Sequence, residues 1–430
     1  MQTHLIPEGY IPRVVDARID KLLKAFGGLE VTGPKWCGKT WTASAHASSI
    51  DSLMDPATLD AASIDPSLVL SGPEPHLVDE WQEVPELWDA VRAHIDANAN
   101  RKGQIILTGS SIPKDRERIR HSGAGRIARI RMRPMTLFES RLVPGGVSFA
   151  RLFEGEFPQG VRAPAGIVDI ARWCCRGGWP SILGMDDEFA LEIPMEYLRS
   201  VTEVNVPALG KDASVAFGLM KALAINTGRA ATLKTLAADM QEDGDAGHAS
   251  TTVRTYLDVL EDLYLLEDLG GWEPPLRSKA RVRVKPKHYY VDPSLPAALM
   301  GASPQTLLRD TQALGGLFET LVVRDIRTYL SVMPGAANKL AYYRDEKGLE
   351  VDVIVELTDG RWGALEVKLS DSKADEATAG RLIDFKKKIC SNPRAQVKEP
   401  SFLAIVVGKG DIAYRRKDGV LIIPVAAMEP

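Results

Sequence analysis

The sequence predicts an α/β chain in three parts, and three observations carry that prediction. Residues Gly33-Pro34-Lys35-Trp36-Cys37-Gly38-Lys39-Thr40 fit G-x-x-x-x-G-K-[ST], between an apolar stub and an Ala-rich stretch. Helical periodicity from Ser214 to Leu266 runs into a segment of alternating cations, Arg277 to Lys287. Toward the C-terminus two apolar runs, 350–355 and 362–368, carry Asp352, Glu366 and Lys368 on either side of a Gly-containing turn. The expected parts are 1–205, 206–300 and 301–430.

Composition sets limits on function. With 430 residues, 45% hydrophobic and 26% charged, the chain has material for several cores. A net charge of −4 excludes a general polycation, so a nucleic-acid surface has to be local. No apolar run approaches the roughly 18 residues that span a bilayer, and Met1-Gln2-Thr3-His4 does not open a signal peptide. A cytoplasmic protein with no membrane partner is expected. Cys37, Cys174, Cys175 and Cys390 match neither zinc-ligand nor disulfide spacing, and the seven histidines form no metal-spaced pair. Cys37 reads as a small loop residue. There is no internal repeat.

In the first part, Leu29–Thr32 reads as a strand and Lys39 to about Ser48 as a helix, the context a phosphate-binding loop requires. Backbone N–H groups of Gly33 to Thr40 and the helix N-terminus would cradle phosphates. Lys39 would reach the β- and γ-phosphates, and Thr40 would ligate Mg²⁺, so ATP and Mg²⁺ are the expected cofactors. About forty residues on, His76-Leu77-Val78-Asp79-Glu80 is an apolar stub ending in two acids, the Walker B pattern. Asp79 would hold Mg²⁺ and Glu80 would polarise the attacking water. Pro85 and the spacing of Leu87, Val91 and Ile95 predict a helix next. Gln104–Leu107 reads as a buried parallel strand; Ser110 or Ser111 at its end would sense the γ-phosphate or cap a turn. Arg126 is either a solvated surface residue or an arginine finger reaching a neighbouring copy, which would require a homo-oligomer.

Taken in order, Gly33–Thr40, Asp79-Glu80-Trp81-Gln82, Leu107-Thr108-Gly109-Ser110-Ser111 and Gly123-Ala124-Gly125-Arg126 resemble the prokaryotic AAA-type ATPases that carry a DUF4143 C-terminal region. Arg133-Pro134-Met135-Thr136-Leu137-Phe138-Glu139 and Gly177-Gly178-Trp179-Pro180 fit the same pattern. The resemblance runs from about residue 10 to the end. Trp36-Cys37 departs from the Gln-Val common in that loop, at positions that contribute mainly backbone.

The middle part reads as three helices, Ser214–Thr227, Thr232–Met240 and Ser250–Leu266, with a polar turn from Gln241 to Gly247. Thr251, Thr252 and Arg254 open the third as a recognition helix would, and Val253, Leu257 and Leu260 give it an apolar face. Arg277, Lys279, Arg281, Arg283, Lys285 and Lys287 alternate, so on one strand all six cations share a face. That is the outline of a winged helix with a basic wing for DNA phosphates; the competing reading is a solvated edge strand guarded by charge. The resemblance implies a winged helix too, and such domains also serve protein contacts.

In the third part Gly315–Glu319 opens a helix, and Thr358-Asp359-Gly360 fits a three-residue hairpin loop with Gly left-handed. In that register Asp352 opposes Glu366 with Cβ atoms roughly 5 Å apart, and Lys368 shares their face. Two carboxylates and a lysine can hold Mg²⁺ and orient water, with Mn²⁺ as an alternative ion. The arrangement resembles the PD-(D/E)xK, restriction-endonuclease-like fold, in which Glu319 matches an extra metal-binding glutamate of some members. Some members of that fold only bind. The sequence therefore predicts an ATP hydrolase acting on DNA through a metal-dependent nuclease. Its rivals are an ATP-regulated DNA- or protein-binding module and a protein remodeller. Asp375–Lys388 is expected as a helix, and 402–407 and 420–425 as closing strands.

Overall fold

The computed structural model describes residues 4–112, 119, 121–241, 249–273, 285–335, 338–391 and 397–430. The chain forms two compact units. The first comprises Met1–Met135, Trp179–Ser181 and Leu260–Leu265; the second comprises Thr136–Gly178, Ile182–Val259 and Leu266–Pro430. Among the described residues no helix is long and apolar enough to cross a membrane.

The first unit is built on five parallel strands: β1 (Gly28–Thr32), β2 (Ser49–Ser52), β3 (His76–Asp79), β4 (Ile105–Gly109) and β5 (Ile127–Arg131), in the order β2-β3-β4-β1-β5. Leu29, Val31, Leu77, Val78, Ile105, Ile106 and Leu107 are all fully buried. This is why these strands read as continuous apolar runs rather than alternating ones. The expected helix after Pro85 is Leu87–Ala97, which packs Leu87, Trp88, Val91 and Ile95 into the core. With all strands parallel, the segments after Thr32, Asp79 and Gly109 leave the sheet at one edge, where such sheets place ligands.

The three middle helices are Ala213–Ile225, Leu233–Asp239 and Ser250–Asp262; the first two and the third up to Val259 belong to the second unit. Asp212 and Thr232 start the first two by accepting from Ser214 and Val215 N–H and from Thr235 N–H. The third ends at Asp262, before the expected Leu266, and Tyr264 adopts φ +58°. Two short strands, β6 (Val147–Ser148) and β7 (Arg162–Ala165), precede these helices; β8 (Leu266–Leu269) and β9 (Lys287–Tyr290) follow them as an antiparallel pair.

The larger sheet takes β10 (Lys339–Arg344), β11 (Glu350–Glu356), β12 (Trp362–Ser370), β13 (Phe402–Ile412), β14 (Tyr414–Arg415) and β15 (Leu421–Pro424) in the order β10-β11-β12-β13-β15-β14, with β7 on β13. β10, β11 and β12 run antiparallel, and β13 lies parallel to β12. Helix Thr311–Val332 precedes it in sequence, and helix Glu376–Cys390 connects β12 to β13. The β11–β12 register is the one expected: Val353 faces Leu365 and Glu356 faces Trp362, Leu357 N–H donates to Arg361 O at 2.8 Å, and Gly360 has φ +84°.

Most of residues 136–205, grouped with the phosphate loop from sequence, lie in the second unit. Ala165 on β7 faces Gly410, β6 pairs with β16 (Met428–Glu429), and Leu137, Phe149, Phe153 and Ile170 join a core with Phe318, Leu321 and Val406. Pairings across more than two hundred residues leave no local signature.

Candidate functional site

The phosphate loop follows β1 as expected. A Cβ on Gly33 would lie 2.4 Å from the backbone oxygen of Met132, so only glycine lets the loop turn that close to the strand beside it. Trp36 takes φ +64° and stays half exposed, while Cys37 is buried. Lys39, 5% exposed, donates from Nζ to Pro34 O at 2.9 Å. Its ammonium thus rests on a loop carbonyl where a phosphate oxygen would be the stronger acceptor.

The acids converge on this loop. Thr40 Oγ1 donates to Asp79 Oδ1 at 2.9 Å, and the Thr108 hydroxyl, from β4, donates to the same oxygen. Burial pushes the Asp79 carboxyl above its ordinary range, against the two hydroxyls that stabilise its charge. Glu80 stands just past β3 with φ +58°, a left-handed position unusual for glutamate. Ser110 Oγ donates to Glu80 Oε2 at 2.8 Å, and Gln82 Nε2 donates to that oxygen as well. Of the two serines singled out from sequence, Ser110 therefore reaches the acid. Thr40 and Asp79 in direct contact fit Mg²⁺, which keeps much of its water and takes one or two carboxylates with substrate phosphates.

Two arginines take different places in this unit. Arg126 precedes β5, and its carbonyl accepts from Gly28 N–H at the start of β1. The phosphate loop leaves the far end of β1, roughly 16 Å away at strand rise. Arg126 instead pairs with Asp96, Nε to Oδ1 at 3.0 Å. Within one chain it is not a finger for this loop. Arg13 was not singled out and is buried: Nη1 donates to Cys37 O and Nη2 to Arg133 O, both at 2.8 Å. It clamps the loop to the segment after β5. A single arginine twenty residues before the motif carries no pattern that could reveal this.

The second unit gathers another set of ionisable groups. Lys368 Nζ donates to Asp352 Oδ2 at 3.1 Å and to Glu366 Oε2 at 2.6 Å, as the hairpin register implied. Val367 N–H also donates to Asp352 Oδ2, at 2.8 Å. Burial would raise the Asp352 pKa, but Lys368 and Lys287 hold it below the ordinary range. Glu366 goes the other way, pushed up to about 7 by burial and by the Asp352 charge. Glu319, on the helix Thr311–Val332, is raised by burial and again by Asp352, while Tyr289 OH and Lys287 donate to its Oε1. Glu319 and its neighbours do not close a metal cage: among the described residues no three His, Cys, Asp or Glu side chains form a set that could hold an ion. The pair Asp352–Glu366 alone suits Mg²⁺ in its water-rich mode.

Lys287 corrects the basic stripe. Arg277, Lys279, Arg281 and Arg283 lie outside the described residues, and Lys285 is exposed. Lys287 is 3% exposed and turns inward, Nζ 2.8 Å from Glu350 Oε1 and 3.2 Å from Glu319 Oε1. Burial lowers its pKa, but Glu319, Asp352 and Glu350 outweigh that and hold it charged. A period of two assigns a face; it cannot say that the last cation of the run is itself buried against two partly buried acids.

Comparison with known proteins matches three segments of the chain. Residues 28–140 match the model of an AAA domain, 167–306 that of a domain of unknown function (DUF8612), and 314–428 that of a domain of unknown function (DUF4143). The chain thus carries an AAA-type P-loop ATPase domain and a DUF4143 region. Two proteins described as uncharacterised, from Mycobacterium bovis and Mycobacterium tuberculosis, are each 25% identical over 375 residues, covering 86% of this chain and 76% of theirs. Among solved structures, a Walker-type ATPase of Pyrococcus abyssi is 12% identical with a TM-score of 0.44, covering 70% of this chain and 99% of that one. The Aeropyrum pernix Orc1 protein in complex with DNA is 12% identical with a TM-score of 0.26, covering 69% and 94%.

Proposed function

We propose that the chain binds and hydrolyses ATP in its first unit, acts on DNA, and couples its nucleotide state to a metal-dependent, nuclease-like site in its second. One observation carries the ATPase reading: Thr40, Thr108 and Asp79 meet at one carboxylate oxygen beside the phosphate loop, with Glu80 held by Ser110 next to them. Lys39 exchanges Pro34 O for β- and γ-phosphate oxygens. Thr40 and Asp79 would hold Mg²⁺, which would supply positive charge against the phosphates. Glu80 takes the role of orienting the attacking water, with Ser110 and Gln82 fixing one of its oxygens. Arg126 would serve only a neighbouring copy, in a homo-oligomer.

We read 206–300 as a winged helix and 301–430 as a restriction-endonuclease-like domain, functional modules that need not coincide with the compact units. What supports the first is three helices followed by the β8–β9 pair. What supports the second is the order helix, three antiparallel strands, helix, parallel strand. Asp352 and Glu366 would hold Mg²⁺ or Mn²⁺, which would supply Lewis-acid activation of a phosphodiester. Lys368 is placed to orient water or steady charge on the phosphate. Glu319 becomes a support for Lys287 rather than a ligand, and DNA phosphates are left to Arg277, Lys279, Arg281, Arg283 and Lys285.

A second reading is an ATP-regulated binding module with an inactive nuclease fold. It is favoured by the two lysines that already satisfy the acids. Cleavage of plasmid and linear DNA with Mn²⁺, with and without ATP, decides between them. Cutting lost in Asp352→Ala establishes the nuclease, and loss in Lys39→Ala ties it to ATP. Intact DNA under every metal leaves the binding module.

A further inference from the structure

The acid cluster of the second unit has two halves, served by two ammoniums of different character. On the outer half Lys368 touches Asp352 and Glu366, and its side chain is 23% exposed. A cation that replaces it has a path to solvent along which the lysine can leave. On the inner half Lys287 touches Glu319 and Glu350, and its side chain is 4% exposed. Its Nζ lies 5.1 Å from the centre of the Tyr342 ring, and the Tyr342 hydroxyl donates to the carbonyl of Lys285, two residues before it. Tyr289, two residues after it on the same strand, donates to Glu319. The lysine is therefore fixed by its own strand, by an aromatic face and by two carboxylates at once.

The geometry points to Lys287 as a resident second cation that confines the proposed metal site to one divalent ion. Phosphodiester chemistry on carboxylate clusters commonly uses two ions about 3.5–4 Å apart. Here the inner position is filled by a buried ammonium whose removal takes from Glu319 its one cationic partner among the described contacts and leaves Glu350 only the longer contact to Arg344, at 3.7 Å. The ion goes between Asp352 and Glu366, where the more exposed Lys368 yields. This inference rests on the metal-site reading given above and adds the number of ions and the residue that sets it.

The test counts Mn²⁺ bound to the nucleotide-free full-length protein, by the electron paramagnetic resonance signal of the free ion. Wild type is expected to bind one ion per chain, and Asp352→Ala to lose it. Lys287→Met is expected to bind two, and Lys287→Arg, which keeps the charge, one. A count of one in folded Lys287→Met overturns the inference and leaves the metal site standing. Absence of any ion that Asp352→Ala removes defeats the metal site itself. Should Lys287→Met not fold, Glu319→Gln carries the test: it keeps the wild-type ion with affinity changed less than about threefold, whereas loss of the ion makes Glu319 a ligand and Lys287 no barrier.

Discussion

Lys39 donates to the carbonyl of Pro34 at 2.9 Å, so the cation of the phosphate loop is held by the loop's own backbone. The loop is preorganised around an ammonium awaiting a better acceptor. Replacing Lys39 by Ala removes about two charge-assisted hydrogen bonds to phosphate, each about 1.5–3 kcal/mol. ATP affinity should fall by about 100-fold or more, measured by titration of a fluorescent nucleotide. The melting temperature should move little, because the buried charge leaves together with the hydrogen bond that holds it. Unchanged affinity in the folded variant excludes Lys39 from phosphate contact.

Glu80 separates binding from turnover. It touches Ser110 and Gln82 and lies beyond the Thr40–Asp79 contact expected to take Mg²⁺. Glu80→Gln should lower kcat by about 10²–10⁴, the usual range for loss of a general base, and keep ATP affinity within about threefold. Ser110→Ala should give a smaller loss of the same kind. Binding and turnover falling together would instead make Glu80 a brace for the turn at φ +58°.

Arg13 is expected to matter for stability and affinity together. It is buried, and two of its nitrogens each donate to a backbone carbonyl. Arg13→Met should destabilise the first unit by about 2–4 kcal/mol. Lysine should not rescue it, since an ammonium cannot span Cys37 O and Arg133 O as a planar fork does. Chemical denaturation followed by Trp fluorescence measures this; a Lys variant as stable as wild type rejects the clamp.

The basic segment makes a quantitative prediction for DNA. Reversing Arg277, Lys279, Arg281, Arg283 and Lys285 while sparing Lys287 should weaken duplex binding and flatten its salt dependence, by a slope of about 0.9 for each phosphate no longer neutralised. Reversing Lys287 alone should instead lower stability, because it places a third carboxylate beside Glu319 and Glu350. Binding isotherms at several salt concentrations distinguish the two; equal slopes for wild type and the five-fold variant remove this segment from the interface.

Much of the first site is legible because its chemistry is sequential. A loop bracketed by Gly33 and Gly38, and acids at the end of β3, are set by neighbours in the chain, and the fold brings them together through parallel strands. The hairpin carrying Asp352 and Glu366 is legible for the same reason, since Gly360 fixes the register of both strands. What the sequence hides is contact at long separation. Arg13 meets Arg133 across 120 positions, and β7 joins β13 across more than 240. Lys287 shows the limit most clearly: alternation gave it a face with five other cations, whereas its side chain is buried beside Glu319 and Glu350.

The pKa of Glu366 yields a stability prediction with a definite sign. Burial, and next the charge of Asp352, push its carboxyl up to about 7, above the value of a glutamate in the unfolded chain. The folded state then binds a proton that the unfolded state releases near pH 4–5. Between that range and about pH 7 the unfolded chain holds fewer protons, so this group makes stability fall as pH rises, and above pH 7 the full penalty is present. Glu319, also raised by burial and Asp352, acts in the same direction. Glu366→Gln imitates the protonated form. It should therefore match wild type near pH 5 and melt higher by about 2–6 °C near pH 8.5, in the absence of divalent ions. Adding Mn²⁺ should reverse the order at high pH, because the ion stabilises only the chain whose carboxylate can hold it. A glutamine variant that melts lower than wild type across this range, without metal, shows that the Glu366–Lys368 contact outweighs the cost of burying the acid.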